Sequence, residues 1–316
     1  MNIFDSIIQG IVQGLTEFLP VSSSGHLAIT QHILGVTENN LFFNVMLHVG
    51  TLVAVCFFYR KLILSLIKEL VVMVKDIFTG NFKWKSMNHE RKLIMMLIIG
   101  LLPLFALFIP IPFTGGVSPK DLADILTESK YFIVVAISLL VTSALLSVGI
   151  AANNKTVRRY KKKGIMKKSG AGRQSLNPVD ALCVGIMQCV AAVFPGVSRS
   201  GSTLAVGELR GLNKQTALDY TFVLGIPSIL AAALLETKDA ITEPNGISVG
   251  AFEIIIGMAV SAVVGYFAIV LFKWLLKTDK MYVFVIYTAI VGLVMLIISL
   301  IELSSGANVF TGASIY

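Results

Sequence analysis

The chain has 316 residues, 55% of them hydrophobic and 14% charged, with a mean hydropathy of +0.82. A soluble domain carries about 25% charged residues, so the composition excludes an ordinary soluble domain and points to an all-α polytopic membrane protein in which residues 1–316 form a single integral membrane domain. The formal net charge of +8 would suit nucleic acid, but the basic residues cluster between Arg60 and Lys92 and between Lys155 and Arg173, beside long apolar runs; that is the bias of cytoplasmic loops, not a folded basic module.

In chain order, Met1 to Gly10 contains no Lys or Arg, so the basic n-region of a signal peptide is missing. Apolar sequence is then interrupted by Gln13-Gly14-Leu15-Thr16-Glu17-Phe18-Leu19-Pro20-Val21-Ser22-Ser23-Ser24-Gly25-His26. Six stretches at roughly 41–60, 93–113, 130–151, 217–236, 250–272 and 281–303 are apolar over about 20 residues, enough to span a bilayer. Lys61 to Phe78 is amphipathic and predicts a helix lying on the cytoplasmic surface against anionic lipid. The Lys155 to Lys168 run reads as a solvated topology determinant. Between the third and fourth spans comes a second polar interruption, Gln188-Cys189-Val190-Ala191-Ala192-Val193-Phe194-Pro195-Gly196-Val197-Ser198-Arg199-Ser200-Gly201-Ser202-Thr203. Cys56, Cys183 and Cys189 lie in apolar stretches without a CxxC motif and read as small buried hydrophobes.

Loop charge sets the topology. The 60–92 and 153–177 segments and the Lys273 to Lys280 turn are basic and go to the cytoplasm, whereas 114–129 and 237–249 are poor in Lys and Arg and go outside. The 41–60 span then runs inward and the 217–236 span outward. The segment before Leu41 therefore begins and ends outside, and Pro178 to Lys214 begins and ends inside; each must enter the membrane and return. Such backbone survives in lipid only where protein or a water-filled cavity covers it.

An internal repeat agrees. Gly10-Ile11-Val12-Gln13 precedes Pro20 and the Ser22 to Ser24 run, and Gly185-Ile186-Met187-Gln188 precedes Pro195 and Ser198 with the same Gln-to-Pro spacing. Gly35 leads to Asn44, Leu47 and Gly50, as Gly211 leads to Tyr220, Leu224 and Gly225. The expectation is an inverted-topology repeat: repeat 1 over about 1–113 with re-entrant hairpin 1–34, and repeat 2 over about 178–303 with re-entrant hairpin 178–214. That build places a site near the midplane, with helix N-termini facing anions.

An ionised side chain at mid-bilayer costs roughly 2.5–3.5 kcal/mol on insertion scales, so the ionisable groups of the two hairpins are the candidate site. In the second, Pro195-Gly196 breaks the helix. The next helix opens with Ser198, Arg199, Ser200, Gly201, Ser202 and Thr203: free N–H groups, hydroxyl donors and a guanidinium fork suited to phosphate. The spacing is not that of a nucleotide P-loop. In the first, Gln13 and Glu17 share one helix face. A carboxylate beside an anionic ligand makes sense where a divalent cation bridges them; otherwise Glu17 acts as general base or stays protonated. Ser23 and His26, three apart, are expected to meet on a helical turn, giving an activated hydroxyl, an imidazole nucleophile or an acid for the leaving group. Ser22 and Ser24 read as caps. His32 and His48 read as packing or helix-end residues, His89 as solvated, Asp180 as a helix-start charge, Glu208 and Arg210 as topology residues, and Glu302 as interfacial.

At these residues the chain resembles the undecaprenyl-diphosphate phosphatase family, also called the bacitracin-resistance protein family. The resemblance rests on Gln13-x-x-x-Glu17 continuing to His26, which matches the family's Glu/Gln-rich motif, and on Pro195-Gly196-Val197-Ser198-Arg199-Ser200-Gly201-Ser202-Thr203, which matches its PGxSRSxxT motif. Both motifs are long, and length and hydropathy fit over nearly the whole chain. Gln13 stands where some members carry glutamate. The resemblance implies a bacterial plasma-membrane hydrolase that removes the terminal phosphate of undecaprenyl diphosphate, recycling the lipid carrier for peptidoglycan, with a site open to the outer face. It also implies a dependence on Mg²⁺ or Ca²⁺ and reduced sensitivity to bacitracin. Carried over, Glu17 serves the metal and Gln13 supports it or the substrate, Ser23 or His26 is nucleophile or base, and Ser198, Arg199, Ser200 and Thr203 bind the diphosphate. The partners are the polyprenyl diphosphate and membrane lipid, with no nucleic acid and a homodimer as an admissible assembly. The rival from another class is a carrier that flips a polyprenyl phosphate across the bilayer; a third reading is a structural assembly subunit.

Overall fold

The computed structural model describes residues 2–35, 41–84, 87–112, 114–127, 131–165, 170–242 and 249–314. Among them the chain is helical, with two isolated β-bridges, Arg173 to Leu212 and Ala307 to Ser314, and no strand. Two short helices form each hairpin: α1 (Ile3–Phe18) with α2 (Ser23–Leu34), and α8 (Pro178–Val193) with α9 (Arg199–Leu209). Between and after them run α3 (Leu41–Phe58), α4 (Arg60–Phe78), α5 (His89–Leu101) continuing as a 3-10 segment (Leu102–Phe108), α6 (Pro119–Leu126), α7 (Phe132–Lys162), α10 (Lys214–Thr242), α11 (Ala251–Lys277) and α12 (Tyr282–Ser305).

Five helical stretches are long and apolar enough to cross a membrane, and α3, bent by 86° into α4, makes a sixth. These are the six expected spans: the α5 stretch runs His89–Phe108 and α10 extends to both sides of 217–236. The chain is an all-α, multi-pass membrane protein. Its long helices expose Val263, Phe267, Ile290 and Leu300, an outer surface that suits lipid and not water. The bend after α3 turns α4 aside, as a helix lying along a surface requires, with Leu64, Ile67, Val71 and Phe78 exposed. Arg91 on α5 holds α4, donating from Nε to Glu69 at 2.5 Å and from Nη2 to Asp76 at 2.6 Å.

The two hairpins correspond feature by feature. Both first helices start in a capping box, Asn2 with Asp5 and Asn177 with Asp180. Gly10 packs on Gly257 of α11, and its counterpart Gly185 packs on Gly100 of α5, so each hairpin lies backbone to backbone against a span. Both second helices start on a serine that accepts a bond from the N–H three residues on, Ser22 from Gly25 and Ser198 from Gly201. Both are followed by a left-handed glycine, Gly35 (φ 68) and Gly211 (φ 76).

Polar side chains fasten the far ends. Asp180, expected as a helix-start charge, is fully buried and does more. It accepts from Arg173 Nη1 (2.7 Å) and Nη2 (2.9 Å) and from Arg210 Nε (3.0 Å), tying the segment before α8 to the end of α9. Arg210 is thus a structural ion-pair partner, while Glu208 is buried beside Gly149. Glu302 is not interfacial as expected. It is buried, accepts from His32 Nε2 at 2.7 Å, and takes the N–H of Val309 at 2.9 Å, while Asn308 donates to the His32 carbonyl at 3.2 Å. The segment after α12 folds back over this pair, which is why a charge near a span end is hidden. The three cysteines are half-buried and unpaired in disulfides.

A side chain at position 185 would run into the Gly100 carbonyl. Gly185→Val is expected to cost at least about 2 kcal/mol and lower the thermal midpoint in detergent; an unchanged midpoint would mean that the two helices do not pack this closely. A second prediction concerns pH. Burial pushes the Asp180 carboxyl up, but the bonds from Arg173, Asn177 and Arg210 outweigh it and hold it below the usual carboxylate range. A depressed native value gives stability that is present above the unfolded value of about 3.9 and lost as pH falls through the native one. Asp180→Asn should therefore lower the thermal midpoint at pH 7, and the gap to wild type should close as the pH drops below about 4.

Candidate functional site

The tips of the two hairpins meet. α1 stops at Leu19-Pro20, where the backbone turns extended (Leu19 φ −70, ψ 145), and α8 stops at Phe194-Pro195. Each tip then needs a left-handed residue. In the second hairpin it is Gly196 (φ 100), where a side chain would meet the Val135 carbonyl. In the first it is Ser22 (φ 75), a non-glycine position that costs roughly 1–2 kcal/mol and must be held by its surroundings. Ser22 Oγ accepts from Gly25 N (3.2 Å), and its carbonyl accepts from His26 N (3.1 Å) and His26 Nδ1 (2.7 Å).

Across the contact, Gly196 N donates to Ser24 Oγ (3.3 Å) and Ser200 Oγ donates to the Leu19 carbonyl (3.2 Å). Gly201 lies against Pro20, and Gly25 against Gly196. The polar backbone exposed by one helix break is satisfied in part by the other hairpin, as membrane burial demands. Thr142 of α7 completes the second tip, donating to the Gly196 carbonyl (3.0 Å) and accepting from Ser198 N (2.9 Å).

At this contact Glu17, 5% exposed, receives four groups. Arg199 Nη2 donates to Oε1. Ser23 Oγ (2.7 Å) and Gln13 Nε2 (3.0 Å) donate to Oε2, and His48 Nε2 stands 3.4 Å from the same oxygen. Gly225 of α10 makes room for the guanidinium, since a Cβ there would collide with it. Glu17, Ser22, Ser23, Ser24, His48, Gln188, Ser198, Arg199 and Ser200 form the polar end of a cavity of about 520 Å³. Its remaining wall is mostly apolar and comes from the 3-10 segment (Phe105, Phe108), α6 (Ala123) and α10 (Leu235). The first intrahelical bond of α9 is made by Ser202 N to the Ser198 carbonyl, so the N–H groups of Arg199 and Ser200 precede it at the cavity wall.

The expected Ser23–His26 contact is not made. Ser23 is the first residue of α2 and turns its hydroxyl to Glu17 on α1. The His26 ring points the other way: Nδ1 faces the Ser22 carbonyl, and Nε2 is 2.8 Å from Tyr287 Oη of α12, whose ring stacks on it. A carbonyl only accepts, so Nδ1 carries the ring proton and Nε2 accepts from the tyrosine. Thr203 also lies off the cavity, buried, with Oγ1 donating back to the Arg199 carbonyl at 2.6 Å. Gln13 sits behind Glu17, and its Oε1 is buried without a partner. His48, read as a packing residue, stands at the site instead; an ionisable side chain in the middle of an apolar span was the signal for it. Tyr287 and Thr142 have no comparable sequence signal, being mid-span hydroxyls like several others.

A family model described as "Bacitracin resistance protein BacA" matches residues 6–294. The chain belongs to this family. Similar proteins include an undecaprenyl-diphosphatase of Alkaliphilus metalliredigens, 39% identical over 95% of this chain and 100% of its own length. The undecaprenyl-diphosphatase of Methanosphaera stadtmanae is 36% identical over 95% of this chain and 99% of its own. That of Bacteroides fragilis is 34% identical over 96% of this chain and the whole of its own length. The match takes in both hairpin tips and the first five spans and ends at residue 294, within the sixth.

Removing one partner of a buried ion pair leaves the other charge uncompensated. Glu17→Gln and Arg199→Met should each lower the thermal midpoint in detergent, and the double variant should be more stable than the two losses added together, by about 1–3 kcal/mol. Additivity to within about 0.5 kcal/mol would mean that the two groups do not interact in the folded protein.

Proposed function

We propose that this chain is an integral-membrane phosphatase that hydrolyses undecaprenyl diphosphate to undecaprenyl phosphate and phosphate, recycling a lipid carrier of cell-wall synthesis and so lowering sensitivity to bacitracin. The observation that carries the reading is the Glu17–Arg199 pair at the wall of a mostly apolar cavity, with a serine hydroxyl on the same carboxylate. Family membership and the names of the relatives support it. The relatives are named for a diphosphatase activity and not for transport, so the transport reading is not favoured.

In this reading the tail lies along the apolar wall and continues among the helices, while the diphosphate reaches the hairpin tips. Arg199 turns from Glu17 to the terminal phosphate, and the Arg199 and Ser200 N–H groups and the hydroxyls of Ser198 and Ser200 add donors. Ser23 Oγ attacks the terminal phosphorus, and its proton passes to Glu17 Oε2 along the existing hydrogen bond. The bond from that phosphorus to the bridging oxygen breaks, and undecaprenyl phosphate leaves with the electron pair. The leaving phosphate oxygen takes the proton back from Glu17. Water then attacks the serine phosphate and gives a proton to the freed carboxylate. The bond from phosphorus to Ser23 Oγ breaks, phosphate leaves, and Oγ recovers that proton from Glu17. His26 keeps the Ser22 turn in place and so aims Ser23; it is a positioning residue. Thr203 holds the first turn of α9 and acts on the diphosphate only through Arg199.

The oxygens suited to a hard divalent cation, Mg²⁺ or Ca²⁺, are the Glu17 carboxylate and the unpartnered Gln13 Oε1. Bound there, the cation would withdraw charge from the phosphoanhydride. Among the described residues no three His, Cys, Asp or Glu side chains gather.

The site opening to the outer face of the plasma membrane is part of the proposal. Its support is that the cavity is lined by α6 and the end of α10, which flank the connections poor in Lys and Arg. The inverted relation of the two hairpins rests on the same loop charges.

The test is phosphate release from undecaprenyl diphosphate by detergent-solubilised protein. Turnover should need a divalent cation and stop with EDTA. Arg199→Ala and Ser23→Ala should each lower kcat by at least about 100-fold with the fold retained. His26→Ala should retain more turnover than Ser23→Ala and show a lower thermal midpoint. Near-normal turnover in Ser23→Ala would remove the serine from the reaction; no turnover in wild type would end the phosphatase reading.

A further inference from the structure

The two hairpins carry the same glutamine at the same place, and only one has a carboxylate to hold. On α1, Gln13 donates Nε2 to Glu17 four residues on. On α8, Gln188 stands at the same distance before its hairpin proline, and four residues on the chain has Ala192. Gln188 is 2% exposed, is among the residues that line the cavity, as Ser198 and Arg199 are, and its Nε2 is buried without a partner. Ala192 lines the same cavity. Buried amides are nearly always paired, because an unmet donor keeps its desolvation penalty. A packing residue at this position would be apolar. An amide whose intrahelical acceptor is lacking, set at the wall of a cavity with a guanidinium, fits an acceptor that arrives with the ligand.

We propose that Gln188 is a substrate-binding residue that donates its side-chain amide to a non-bridging phosphate oxygen of the diphosphate, taking on α8 the kind of bond that Gln13 gives to Glu17 on α1. The inference rests on the phosphatase reading for the identity of the anion. The two glutamines differ in which atom is left unmet, a carbonyl oxygen on Gln13 and an N–H on Gln188.

The test uses Gln188→Met, close in volume and without a donor, and Ala192→Glu, which supplies the intrahelical carboxylate. Wild type and both variants are assayed for kcat and KM on undecaprenyl diphosphate, and for protection from thermal unfolding by inorganic pyrophosphate with Mg²⁺. Gln188→Met should keep or raise the thermal midpoint, because an unmet donor is gone. It should lose roughly 10- to 100-fold in kcat/KM, the range of one hydrogen bond to a charged group, and lose most of the pyrophosphate protection. Ala192→Glu should lose both activity and protection, because its carboxylate takes the amide and repels the anion. Wild-type kcat/KM and protection in Gln188→Met would overturn the proposal, as would a lowered thermal midpoint with protection intact, which marks a packing residue. If wild type releases no phosphate yet is protected by pyrophosphate through Gln188, the phosphatase reading fails and the anion site stands.

Discussion

The structure depends on one contact, the buried pair of Glu17 and Arg199 between the tips of two hairpins that are distant in sequence. Neither charge could remain alone inside an apolar fold. Neither tip could remain alone either, because breaking α1 and α8 frees backbone groups that lipid cannot satisfy. The bonds from Gly196 to Ser24 and from Ser200 to Leu19 meet part of that demand from the opposite hairpin. The candidate site is therefore the surface where the two hairpin tips close on each other.

A buried ion pair is weak evidence for stability, since desolvation offsets most of its attraction. Several costs fall on the two hairpins: the left-handed Ser22, the unmet Gln13 Oε1 and the unmet Gln188 Nε2. Strain and unmet polar groups persist where the surroundings over-determine them and where a ligand uses them. The rest of the molecule carries the stability. Close glycine contacts set the hairpins against α5 and α11, and the Asp180 and His32–Glu302 pairs lock the ends of the second helices. With its far ends fixed, each tip can hold an arrangement that ligand binding improves.

Much of this was legible in the sequence, because a bilayer imposes few and strong rules. Hydropathy located the spans, loop charge and span counting set apart the two segments that fold as helical hairpins, and the cost of intramembrane charge singled out Glu17 and Arg199, which meet. What failed was local geometry. The spacing of Ser23 and His26 assumed one regular helix, whereas α2 begins at Ser23 after a left-handed residue, which sends the hydroxyl to α1 and the imidazole back to Ser22. Tyr287, the ring partner of His26, is 261 residues away, and no local pattern announces such a contact. Glu302 was misread for a related reason, since the chain after α12 folds over it.

The repeat also explains how a nearly symmetric scaffold can run an asymmetric reaction. Cleaving a phosphoanhydride needs a nucleophile and a base on one side of the phosphorus and positive charge for the departing oxygens on the other. Two copies of one hairpin, facing each other, supply both positions from the start, with the same capping serines and the same glycine contacts. Differentiation then takes few changes. Where the first copy has Glu17 the second has Ala192, and the residue after the capping serine is Ser23 in one and Arg199 in the other. Those two exchanges make one hairpin the acidic, hydroxyl-bearing half and the other the cationic half. The shared glutamine, kept in both, changes partner with its surroundings: a carboxylate of the protein on α1 and, on α8, the phosphate that this half is built to receive.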